Sequence, residues 1–193
     1  MPYQNTAVPS RLLASKWFRL VLAALILPAI NAGLNILIQT TPVPLFLDSI
    51  GTGVAAVMGL PYGLITAVAT NLLEEVLMGF EGTHAPFAIC GMATALIVWW
   101  MVRTQRTQTP MQFIYGTFFV ALANSILGAV IAVFVYGGGT GTNIDVAVAG
   151  FALALDNIIS AAFLARLAVN LLDKAPVVLA AMLTARFLRP TAR

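Results

Sequence analysis

Glu74 and Glu75 are adjacent carboxylates in an otherwise apolar run, and Thr70 and Thr66 precede Glu74 at successive intervals of four residues. On a helix this spacing puts Thr66, Thr70 and Glu74 on one face, with Asn71 and Glu75 as a second stripe beside it. An earlier segment repeats the pattern with amides, at Asn31, Asn35 and Gln39. Single polar residues interrupt other apolar stretches: Asp48, Asn124, Asp145, and the group Asp156, Asn157 and Ser160. Side chains of these types hydrogen-bond a polar solute. The acids Asp48, Glu74, Glu75 and Asp145 favour a cationic or amine-bearing one, since no basic residue is expected to reach them. Catalysis has less to draw on. The chain has one histidine, His84, and one cysteine, Cys90. With no serine–histidine pair and no cluster of metal ligands in the sequence, no catalytic residue, metal or cofactor is expected.

The elements that must carry these residues follow from composition. Of 193 residues, 60% are hydrophobic and 9% charged, against roughly 25% charged in a soluble domain. So few charges cannot cover a soluble surface, and a mean hydropathy of +0.94 agrees. The expected fold is an all-α integral membrane protein, a bundle of about six transmembrane helices. The spans are predicted at 19–40, 45–59, 61–79, 86–102, 111–136 and 145–167, with Pro61 in a first turn, where its missing N–H costs nothing. A weaker apolar stretch, 175–188, is expected as a cytoplasmic or interfacial tail helix. The domain organisation is then an N-terminal cytoplasmic segment 1–18, a transmembrane domain 19–172 and a tail 173–193. The first apolar run is too long for the core of a signal peptide, and further spans follow it, so it reads as a retained helix.

Basic residues orient the map. Arg11, Lys16 and Arg19 precede the first span, Arg103 and Arg106 separate the fourth and fifth, and Arg166, Lys174, Arg186, Arg189 and Arg193 end or follow the sixth. An even number of spans between these clusters puts every one of them on one side, and the positive-inside rule makes that side, with both termini, cytoplasmic. Trp17, Tyr62, Trp99, Trp100 and Tyr115 then fall at inner helix ends, where amphipathic rings favour the interface. The net charge of +3 is accounted for by this distribution, and no nucleic-acid partner is expected. The amide and acid stripes converge on the outer half of the bundle, which reads as a polar cavity open outward above an apolar inner half.

Each polar residue also has a purely structural role open to it. Asp48 and Asp145 can cap helices and complement their dipoles. Asn31, Asn35 and Gln39 can bond neighbouring helices. Glu74 and Glu75 can touch water in the headgroup region, and Asp156 can pair with Asn157 or another helix. His84 and Glu81 read as loop residues, His84 with a second option as a lid contact. Cys90 reads as a buried thiol. The glycine-rich segment 137–142 lacks the lysine and the strand–helix context of a nucleotide loop, so it reads as an external gate or lid. Ala29 and Gly33, four residues apart, allow close helix approach, either inside the bundle or on a docking face.

The segment Pro44-Leu-Phe-Leu-Asp48-Ser-Ile-Gly51-Thr-Gly, with Gly59-Leu-Pro-Tyr-Gly63 and Thr70-Asn71-Leu-Leu after it, resembles the substrate-binding S components of energy-coupling factor transporters. The resemblance is sharpest over residues 44–75, and the helix layout and length extend it along the chain. It implies a subunit of a bacterial cell (inner) membrane that binds a scarce micronutrient, usually a vitamin, in an outward cavity covered by external loops. It also implies partners: a transmembrane scaffold, the T component, and two cytoplasmic ATPases, with toppling of the binding subunit delivering the solute inside. The family docks through small residues spaced by four on its first helix, a pattern that Ala29 and Gly33 match loosely. Metal-uptake relatives carry several histidines, and this chain has only His84, which argues against nickel or cobalt.

Two other classes stand beside this reading. Paired glutamates also occur in membrane-embedded CAAX-type proteases, but their arginine four residues further on is Gly79 here, and the histidines they need are missing. A membrane sensor or an accessory subunit of a larger membrane complex fits the same fold. Its discriminating feature would be a separate kinase or a membrane complex as partner.

Overall fold

The computed structural model describes residues 15–80, 82–107 and 109–188, and every regular element among them is helical. The expected positions Arg11, Glu81, Arg189 and Arg193 lie outside the described residues. Helix α1, Lys16–Gln39, is capped by Ser15, whose hydroxyl accepts from the Phe18 N–H at 3.5 Å. It contains a π turn at Leu22–Ile26, where the Leu27 N–H reaches back to the Leu22 carbonyl. Pro28 follows and has no N–H to give. The Ala23 carbonyl, which Leu27 or Pro28 would otherwise serve, accepts instead from Thr66 Oγ1 at 2.8 Å. A helical irregularity in α1 is thus tied directly to the polar stripe of another helix.

Residues 40–49 form no regular element and lead into α2, Ile50–Met58. Gly59, at φ 146, ends α2, and α3, Leu60–Leu77, begins at once with a proline in its first turn. A short 3-10 turn at Ala85–Phe87 precedes α4, Ala88–Arg103. Helix α5, Pro110–Tyr136, opens on a capping box between Thr109 and Gln112 and closes on Gly137 in the left-handed conformation. Such caps satisfy end groups that lipid cannot. Helix α6 is Ile144–Leu155 and α7 is Ile158–Leu188.

The C-terminal third departs from the sequence expectation. One span over 145–167 and a separate tail over 175–188 are replaced by a short helix and a long one. The break falls at Asp156, at φ 52, and Asn157 Oδ1 then accepts from the Ser160 N–H at 3.0 Å. Asp tolerates the left-handed region and Asn is a strong helix N-cap, so the pair stops one helix and starts the next. Helix α7 then continues through Pro176. The domain boundary expected between residues 172 and 173 falls inside it, and Val177, Val178, Ala181, Met182 and Ala185 are buried.

Packing is inside-out relative to a soluble protein. Large apolar side chains face outward, among them Leu153 at 92% and Val146 at 80% exposure. Asn31, Thr66, Glu74, Asp173 and Lys174 are buried. Among the described residues four helices, Lys16–Gln39, Ala85–Arg103, Pro110–Tyr136 and Ile158–Leu188, are long and apolar enough to cross a membrane. The inner contacts form two apolar clusters. One joins α2, α4, α5 and α7 through Ala56, Ala95, Val98, Met101, Val120, Val178 and Met182. The other joins α5, α6 and α7 through Ala129, Val148, Ala161, Ala162 and Ala165. Asn31 is the knot between the first three helices. Its Nδ2 donates to Thr52 Oγ1 at 3.3 Å and Thr70 Oγ1 at 3.0 Å, and its Oδ1 accepts from the Gly51 N–H at 2.6 Å. Gly51 must be glycine for this approach, because a Cβ there would lie 2.7 Å from the Leu27 carbonyl oxygen. At the helix ends Arg103 lies over Trp99 and Arg106 over Trp100, with 5.8 and 4.8 Å to the ring centroids.

Candidate functional site

A cavity opens within the bundle. Asn35 of α1, Asn71 and Glu74 of α3, Cys90 and Gly91 of α4, and Asn124 and Gly128 of α5 form much of its wall. Thr52 of α2 and Arg166, Asn170 and Lys174 of α7 complete the helical part, and the connecting segments add Phe46, Asp48, Ser49, Thr83, His84, Phe87, Thr140 and Thr142.

One side is acidic. Glu74 Oε1 accepts from Asn35 Nδ2 at 2.9 Å, and Asn35 Oδ1 accepts from Gln39 Nε2 at 3.0 Å. The other Glu74 oxygen lies 3.6 Å from His84 Nδ1. That carboxylate raises the pKa of the His84 imidazole above its ordinary value, against the opposing effect of burial. The segment carrying His84 is held by Glu75, whose carboxylate accepts from the N–H groups of Gly82, of His84 at 2.8 Å and of Ala85 at 3.0 Å. Tyr136 adds a second tie, donating to the Gly82 carbonyl at 2.7 Å while its ring stacks on Phe87 at 5.9 Å.

The opposite side carries an ion cluster. Lys174 Nζ lies 3.1 Å from Asp48 Oδ1 and 2.7 Å from Asp173 Oδ2, and it donates to Ser49 Oγ at 3.1 Å. The remaining Asp173 oxygen accepts from the N–H groups of Phe46 at 2.9 Å and Leu47 at 2.7 Å. The irregular 40–49 segment is thereby fastened to α7 through both its backbone and its acid. Further along α7, Asn170 Nδ2 donates to Ser125 Oγ at 3.1 Å, and on α5 Asn124 Nδ2 donates to Thr94 Oγ1 at 2.9 Å.

Arg166 also lines the cavity, 4% exposed, with no hydrogen-bond partner for Nη1. Gly128 makes room for it, since a Cβ there would lie 3.1 Å from Arg166 Cδ and 3.2 Å from Nε. Asp145 acts on Arg166 electrostatically without forming an ion pair, because its oxygens accept from the N–H groups of Thr140 and Gly141 at 2.8 Å and from Thr140 Oγ1 at 3.0 Å.

Of the residues singled out from sequence, Asn35, Asp48, Asn71 and Glu74 line the cavity together. Asn31 and Thr70 are bonded to each other and do not line it, and Gln39 bonds the lining residue Asn35. Glu75 organises the loop, and Asp145 organises the turn before α6. Asp156 and Asn157 are exposed at the α6–α7 break and do not line the cavity, so their expected place in it is corrected. So is the expectation that no basic residue reaches the cavity: Arg166 and Lys174 both line it. Their burial follows from α7 continuing inward where the sequence reading ended a span. No family model, curated protein or solved structure matches this chain.

The arrangement can do three things. It can hold a polar solute by amides on α1, α3, α5 and α7, flank it with the Phe46 and Phe87 rings, and meet charge of either sign. Cys90, by contrast, is buried against the Asn124 carbonyl and reads as a wall residue.

Proposed function

We propose that this chain is the membrane-embedded binding subunit of an uptake system. It captures a small, vitamin-like micronutrient in the cavity and works with a separate ATP-driven module, a transmembrane scaffold and two cytoplasmic ATPases, in a bacterial cell (inner) membrane. The observation that carries the reading is the cavity itself: charged and amide side chains gathered inside a bundle whose exterior is apolar. Intramembrane ionisable groups are costly, and where they surround a cavity they mark a solute or ion path. Ligand sites between helices of a bundle are the common case.

In this reading α1, α2 with its irregular 40–49 entry, α3, α4, α5 and α7 are the six spans, and α6 packs against α5 and α7 on the outer half. The proposed count is again even, which under the positive-inside rule keeps both termini cytoplasmic in this reading. Lys16, Arg19, Arg103, Arg106 and Arg186 then share the inner end. In a Cys90→Ala background, cysteine at Gln105 is expected to react with an impermeant thiol reagent only from the cytoplasmic side, and cysteine at Gly139 only from outside. Reaction of both from one side would refute the six-span map.

The outer face of α1 supports a docking role. Ala29 and Gly33 are exposed, and a Cβ at Gly33 would meet nothing within 4 Å. Close packing within the bundle therefore does not explain them. Co-expression with a scaffold and ATPase pair, followed by affinity purification, tests the function. The complete complex is expected, the isolated chain should hydrolyse no ATP, and Gly33→Leu should reduce complex recovery about tenfold or more by blocking close helix approach. Stoichiometric recovery with a kinase or an unrelated membrane complex would instead make the chain a sensor or accessory subunit.

A further inference from the structure

We infer that Arg166 anchors an anionic oxygen group, a carboxylate or a phosphate, of the solute that occupies the cavity. The inference rests on the cavity being a solute site, and it reverses the preference for a cationic solute drawn from the acids alone.

Of the two cations in the cavity wall, Lys174 is matched by Asp48 and Asp173. Glu74 is served by Asn35 and faces His84. Arg166 is the exception. No ion pair joins it to a carboxylate among the described residues, its Nη1 has no hydrogen-bond partner, and it is 4% exposed. A buried guanidinium that no carboxylate contacts, with Asp145 acting on it only from a distance, is expensive for the folded chain. A ligand that supplies the missing charge recovers that cost on binding, and a guanidinium fork suits two oxygens of one group. Gly128 keeps the space that lets Arg166 lie against α5. Phe87 sits at the same place, 3.9 Å from where a Gly128 Cβ would be, and Tyr136 fixes its ring by stacking. The anion subsite therefore adjoins an aromatic wall, which fits an oxygen acid carried on a flat apolar body.

Benzoate and phenyl phosphate are suitable probes, with benzamide, benzylamine and inorganic phosphate as comparisons. The full chain in detergent would be followed by thermal unfolding and by titration monitored through tryptophan fluorescence. Benzoate or phenyl phosphate is expected to raise the melting temperature and to bind at least tenfold more tightly than benzamide, with benzylamine giving no shift. The stronger of the two anions tells a carboxylate from a phosphate solute, and inorganic phosphate shows whether the aromatic body contributes. Arg166→Gln should weaken the anion roughly 10- to 100-fold, the loss of a charged hydrogen-bond pair. It should also leave the unliganded protein as stable as the parent or more so, because an unmatched buried charge has gone. A purely structural arginine would instead lose stability in Arg166→Gln and leave anion affinity unchanged. Arg166→Lys should keep part of the affinity, and Gly128→Ala, which crowds the guanidinium, should weaken the anion while retaining the charge. Equal binding of benzamide and benzoate, preference for benzylamine, or anion affinity unchanged in Arg166→Gln would overturn the inference. If such a result came with a complete complex containing the ATPases, the uptake reading would stand without this subsite. Anion selectivity in a chain that never joins such a module would leave the subsite and remove the uptake reading.

Discussion

Lys174→Met is expected to lower stability by about 3–5 kcal/mol, the usual cost of removing one partner from a buried ion cluster. The substitution leaves Asp48 and Asp173 facing each other across a vacated site with no cation between them. Asp173 also holds the Phe46 and Leu47 N–H groups, so its displacement would free the irregular 40–49 segment from α7. In a chain of this length a loss of that size lowers the melting temperature on the order of 10 °C. The companion variant decides the cause. Combining Lys174→Met with Asp48→Asn and Asp173→Asn removes all three charges together and should recover most of the loss, because a neutral set is cheaper than two unmatched acids. Fluorescence-detected unfolding of the three proteins, parent, single and triple, is sufficient. A single variant as stable as the parent, or a triple variant worse than the single, would mean that the cluster does not fasten this segment.

The polar stripes of α1 and α3 were legible because amides and acids are conspicuous in apolar helices, and a spacing of four puts them on one face. That logic brings Asn35 together with Glu74 and Asn31 with Thr70, pairs that the structure joins. The same spacing runs through Arg166, Asn170 and Lys174, and all three line the cavity. It is masked because basic residues in an apolar context ordinarily mark the inner end of a span, which points Arg166 and Lys174 to an end instead of a face. The misplaced end followed from Asp156 and Asn157, read as buried polar groups when their short side chains make them a stop and a start. Glu75 was opaque for another reason. Its three N–H partners come from a chain reversal that needs positive φ at Gly79, Phe80 and Gly82, and no spacing on a helix encodes which loop atoms will return to a given carboxylate.

Asn31 and Asn35 stand one helical turn apart on the same stripe, and their substitutions should separate cleanly. Asn31 bonds three groups of the protein and does not line the cavity. Asn31→Ala should therefore cost about 1–3 kcal/mol of stability, the penalty for buried groups left without partners. Affinity in the fraction that remains folded should change little. Asn35 lines the cavity and positions Glu74. Asn35→Ala and Glu74→Gln should each weaken the solute that co-purifies with the chain by roughly 5- to 150-fold, the equivalent of one lost buried partner. Glu74→Gln also removes the anion facing His84, whose imidazole should then titrate nearer its ordinary value. Asp156→Asn is the matching control, because the residue is exposed, lies off the cavity, and is replaced by a side chain that tolerates the same backbone. Calorimetric titration of the co-purified solute against the four variants, with melting curves for each, separates the roles. If Asn31→Ala abolishes binding at unchanged stability, or if Asp156→Asn weakens it as much as Glu74→Gln, the polar groups of α1 and α3 are not divided into a knot and a wall.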